Sequence, residues 1–75
     1  MEVRYEIWDT ETGNLIGEFS TEEEALLLVR HAVDDWGAHA AASLVMGYGQ
    51  NNEVASQLIE GEALIQRALS ATAHA

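Results

Sequence analysis

The sequence predicts an α+β domain of order ββαββα, a four-stranded, mostly antiparallel sheet with two helices packed on one face. Three observations carry that prediction. Apolar and polar residues alternate with period two from Val3 to Trp8, the pattern of a half-buried strand. Hydroxyls at Ser20 and Thr21 are each followed three residues later by a glutamate, and a run with helical apolar spacing begins there. The second half then repeats the layout: an apolar segment, a turn, another extended segment, a glycine and an amphipathic stretch.

The elements follow in order. Val3, Tyr5 and Ile7 point to one side of the first strand, Arg4 and Glu6 to the other. The stretch Asp9 to Asn14 is rich in turn formers, and Gly13 suits the positive-φ position of a type I turn with a bulge. A second strand, Leu15 to Ser20, returns antiparallel. With Thr10 and Asn14 flanking the turn, Tyr5 faces Phe19, Glu6 faces Glu18 and Trp8 faces Ile16. Glu22, Glu23 and Glu24 then fill the first turn of a helix, where its dipole favours negative charge. At 100° per residue Ala25, Leu26, Val29, Ala32, Val33 and Trp36 share one side and are expected to pack on the sheet. Gly37 ends the helix, and His39 to Ala42 extends it briefly or links onward. Ser43 to Tyr48 reads as a third, central strand, and Gly49 to Asn52 as a turn. Glu53 to Ile59 reads as a fourth strand that Gly61 breaks. Glu62 to Thr72 forms the second helix, and residues 73–75 are expected to fray.

Seventy-five residues suffice for one domain, 1–75, and a chain of this size buries only about 60% of its unfolded surface. Without cysteine, neither disulfides nor thiolate metal sites supplement that core. Thirteen acidic residues stand against Arg4, Arg30 and Arg67, with no lysine, for a net charge of −10. Phosphate backbones are bound through clustered cations, so direct nucleic-acid binding is not expected, nor docking on an anionic membrane. No apolar run approaches the roughly 20 residues of a membrane span. The N-terminus lacks the basic start and apolar stretch of a signal peptide, so the expected compartment is the cytoplasm.

One arrangement invites a metal reading: His31, Asp35 and His39, spaced i, i+4 and i+8. Two imidazoles and a carboxylate on one helical face suit zinc, but Gly37 falls before the third residue, and no metal site is expected. Acid–base catalysis needs carboxyls in environments that separate their pKa values, and neither Asp34-Asp35 nor Glu60 with Glu62 suggests a cleft. Ser43, Ser56 and Ser70 lack a nucleophile motif. Gly47-Tyr48-Gly49 has neither the lysine nor the following helix of a phosphate loop. The expectation is a chain with no catalytic residues, no cofactor and no enzymatic activity.

Tyr5 to Gly17, with Thr10-Glu11-Thr12-Gly13 at its turn, followed by Thr21-Glu22-Glu23-Glu24-Ala25-Leu26 and later Glu60-Gly61-Glu62, resembles a family of small uncharacterised bacterial proteins. In these a hairpin runs into a Thr-x-x-Glu-Ala-Leu helix and a second hairpin into another. The resemblance spans nearly the whole chain and implies the ββαββα fold but no activity. The strand-to-helix entry is also similar to antitoxin domains of toxin–antitoxin pairs.

Function is therefore sought in surfaces. Trp8 and Ile16 lie on a strand face otherwise occupied by Arg4, Glu6 and Glu18, and Leu27 projects almost opposite Val29. These three apolar residues, Trp8, Ile16 and Leu27, are the candidate contact residues of a protein–protein interaction module. Its expected partner is a second copy of the chain, with another protein as a further candidate. The alternative is an acidic inhibitor or antitoxin-like protein that occupies a basic, nucleic-acid-handling site on a target.

Overall fold

The computed structural model describes residues 2–51 and 53–71 of the chain; the expected fraying of 73–75 and the expected helix end at Thr72 lie outside the described residues. Strands β1 (Val3–Asp9) and β2 (Asn14–Phe19) precede helix α1 (Glu22–Trp36) and a four-residue helix α2 (Ala38–Ala41). Strands β3 (Leu44–Gln50) and β4 (Ser56–Glu60) then lead into helix α3 (Gly61–Ala71). The order is ββααββα, one short helix more than expected. The sheet is antiparallel in the order β2-β1-β3-β4, so each hairpin contributes one central and one edge strand.

The first hairpin turns where expected, with Gly13 at φ 73° and its amide donating to the Asp9 carbonyl at 2.8 Å. Thr21 caps α1. Its hydroxyl accepts from the Glu24 amide at 3.2 Å and donates to the Glu24 carboxylate at 3.1 Å, which closes a capping box. Gly37 ends the helix at φ 91°, ψ 156°, a conformation that side chains disfavour. The break separates α2 from α1, although the alanines that follow are good helix formers.

Both long helices pack on the same side of the sheet. Ile7, Leu44 and Met46 from the central strands meet Ala25, Leu26, Val29 and Ala32 of α1 and Leu64, Ile65 and Ala68 of α3, with Ala41 of α2 closing one end. Fully burying a side chain the size of Leu64 or Met46 stabilises the fold by about 1.5–3 kcal/mol. Glu22 and Arg67, 2.7 Å apart, tie the start of α1 to α3.

Three expectations are corrected. Burial falls along α1 from Ala32 through half-buried Val33, and Trp36 is 56% exposed rather than packed on the sheet, because the last turn rises clear of the core. Gly49 belongs to β3, and β4 begins only at Ser56, so residues 53–55 are not strand. Trp8 pairs with Leu15, not Ile16. Ile7 pairs with Gly17, which leaves Ile16 as the extra residue of a β-bulge on an edge strand.

Candidate functional site

With both long helices on one side, no element among the described residues covers the other side of the sheet. Its outward positions are set by the pleat. On β1 these are Arg4, Glu6 and Trp8, since the intervening Ile7 is fully buried. Across β3 they pair with Gly49, Gly47 and Val45 in turn, beside buried Met46 and Leu44. Glu18 of β2 lies opposite Glu6, and Glu60 of β4 opposite Val45.

A row of apolar side chains crosses this open face. Trp8 is 37% exposed and its cross-strand partner Leu15 45%, and the bulge residue Ile16, next to Leu15, is 38% exposed. Val45 continues the row, half-buried. A second irregularity falls in β4, where Gln57 pairs with Gly47 and Ile59 with Met46, and the extra residue Leu58 is 49% exposed. Bulges on both edge strands twist the edges and discourage pairing with another sheet.

Below the row lies a hydrogen-bonded chain along β1. The Trp8 indole N–H donates to Glu6 Oε1 at 2.8 Å, and Arg4 Nε donates to Glu6 Oε2 at 2.9 Å. These two donors, Trp8 first, hold the Glu6 carboxyl below the usual range. The remaining Arg4 nitrogens donate to the carbonyls of Asn51, at 2.7 Å, and Glu53. The guanidinium thereby lies over Gly49, where a Cβ would come within 2.9 Å of Cζ. That packing favours glycine at position 49, one residue before the end of β3, where sequence suggested a turn. The indole is thus fixed at one end by its own nitrogen while its ring stays partly exposed.

The three candidate residues do not form one surface. Trp8 shares the open face with Leu15, and Ile16 adjoins Leu15 on the same strand, but Leu27, 46% exposed, stands on the far side of α1 from its buried residues Ala25 and Val29. It lies across the full thickness of the two layers. Leu15, Val45 and Leu58 were missed by sequence reasoning. The adjacent apolar pair Leu15-Ile16 in a strand was a usable signal, since strict alternation would put one of them in the core.

The other motifs are placed as follows. His31 and Asp35 lie on α1 and His39 on α2 beyond Gly37; among the described residues no group of three His, Cys, Asp or Glu is placed to hold a metal ion. Glu22 is engaged by Arg67 and Glu24 by Thr21, so two of the three consecutive glutamates are anchored within the fold. No polar or charged residue is fully buried among the described residues. An open groove of about 810 Å³ passes Val3, Arg4, Phe19 and Ser20, and its cation is already held by Glu6. No helix among the described residues is long and apolar enough to cross a membrane. No family model, curated protein or solved structure matches the chain.

Proposed function

We propose that this chain is a small acidic protein–protein interaction module, without enzymatic activity, that docks through the open face of its sheet. The observation that carries the reading is the exposed row of Leu15, Ile16 and Trp8, continued through Val45 and with Leu58 exposed on β4. Aromatic anchors ringed by aliphatic side chains supply most of the energy of protein interfaces, and an apolar patch with a polar rim marks such a site. Trp8 also arrives pre-oriented by Glu6, which lowers the ordering cost of binding. The resemblance to small bacterial proteins brings no activity, so the reading rests on this face.

Self-association through the face is the less favoured use, because it brings together two domains of charge −10. Mimicry of nucleic acid by the consecutive glutamates is also disfavoured, since Glu22 and Glu24 serve the start of α1.

Affinity capture from the source cell with the tagged chain tests the proposal. A partner held by the wild type and by Leu27→Glu, and released by Trp8→Ala and Ile16→Ser, is the expected result. A partner lost with Leu27→Glu and kept with Trp8→Ala contradicts it.

A further inference from the structure

We infer that the partner seated on the open sheet face is a cationic protein segment, with aliphatic side chains for the apolar row and lysine or arginine for the carboxylates beside it. The inference rests on the reading that this face is the docking surface, and adds the partner's chemistry. Glu6 and Glu18 lie directly opposite one another on β1 and β2, one row from Trp8. Like charges at directly opposed positions destabilise a sheet. Glu6 is answered by Arg4 and by the Trp8 indole, whereas Glu18 is exposed. Glu60 closes the row at its other end, opposite Val45, and is exposed as well. Arg4, the cation of this face, is committed to Glu6 and to the carbonyls of Asn51 and Glu53.

An apolar row flanked on one side by Glu6 and Glu18 and closed at one end by Glu60 selects against some occupants. A second copy opposes a further net charge of −10 and a second Glu18 and Glu60 to the first. Like-charge juxtaposition across an interface costs several kcal/mol and suppresses such partners. A nucleic acid or an anionic lipid surface meets the same repulsion. A cation beside Glu18 instead supplies to that exposed carboxylate the countercharge that Arg4 gives to Glu6, so charge and apolar burial act together.

The probe is a synthetic extended peptide with two leucines between two lysines, all four at alternate positions so that they share one face. It is added to the Trp36→Phe chain, in which Trp8 alone reports by fluorescence. The expected result is a saturable change in Trp8 emission. Affinity is expected to fall at least tenfold as salt rises from about 0.01 M to about 1 M and the screening length shrinks from about 30 Å to about 3 Å. Glu18→Gln should weaken binding several-fold, while circular dichroism shows the fold unchanged. A peptide with glutamate for lysine that binds equally well overturns the cationic partner and leaves the docking face intact. Binding of the lysine peptide that is unaffected by Ile16→Ser with Leu58→Ser overturns the docking face itself. Absence of saturation at about 1 mM, or a stable dimer that the peptide does not open, overturns the inference in favour of another occupant.

Discussion

Gly49→Ala probes how the open face is braced, and the structure gives both its size and its sign. The new methyl would lie 2.9 Å from Cζ and Nη2 of Arg4 and 3.2 Å from Nη1, too close for the guanidinium to stay. A flexible side chain can swing away, but it then gives up Glu6 and the carbonyls of Asn51 and Glu53. Hydrogen bonds involving charged groups contribute about 1.5–3 kcal/mol each when sheltered and less when solvated, so the set of three is expected to be worth about 2–3 kcal/mol. Alanine for glycine within a strand returns about 0.5–1 kcal/mol, which leaves Gly49→Ala destabilising by about 1–2 kcal/mol. Arg4→Ala alone is expected to cost the full 2–3 kcal/mol or so. With Arg4 already removed the methyl meets no obstacle, and Gly49→Ala is expected to stabilise by about 0.5–1 kcal/mol. The coupling energy of the double-mutant cycle is therefore about 2 kcal/mol, far above the additivity of independent sites. Urea denaturation followed by tryptophan fluorescence measures all four corners, provided the slope with denaturant is unchanged. Costs that add to within about 0.5 kcal/mol would refute the bracing role of Arg4.

Other expectations concern the helices and pH. Thr21→Ala should cost about 1 kcal/mol and Ser20→Ala almost nothing, read as urea midpoints, because Thr21 makes the cap. Gly37→Ala meets no atom within 4 Å, so its cost of about 1–3 kcal/mol comes from backbone strain alone and is measured by thermal denaturation. Glu6 is held below its ordinary value of 4.5 by Trp8 and Arg4. The stability it supplies is complete above that value and is lost as pH falls through its lower folded value. Asp9, held down by the Glu11 amide, acts in the same direction. An acid titration of the Trp36→Phe chain is expected to show Trp8 emission changing as Glu6 protonates, and Glu6→Gln should remove that transition.

Much of the fold was legible locally, and the misses have physical causes. The capping hydroxyl, the positive-φ turn at Gly13 and the break at Gly37 depend on neighbours within a few residues, so residue chemistry suffices to place them. The pairing of Trp8 was missed because a bulge slips the register by one residue, and only the packed sheet decides where the slip falls. Gly49 read as a turn because glycine weakens strands; it lies in β3 by pairing with Arg4, 45 positions away, whose guanidinium leaves no room there for a Cβ. Trp36 has the phase of a core residue, but periodicity gives a direction and not the presence of anything to pack against. That Leu27 lies apart from Trp8 was a deduction the sequence already allowed. A residue on the outward side of a helix, and residues on the sheet face that the helix leaves open, lie on opposite sides of two layers.

The most direct test of the docking face is a titration of the isotope-labelled chain with its captured partner, followed by nuclear magnetic resonance of the backbone amides and the two indole N–H groups. The Trp8 indole signal and the amides of Leu15, Ile16, Val45 and Leu58 are predicted to shift together, with Leu27 and the outward side of α1 unmoved. Shifts clustered on Leu27 and α1, with the Trp8 indole silent, would contradict the account.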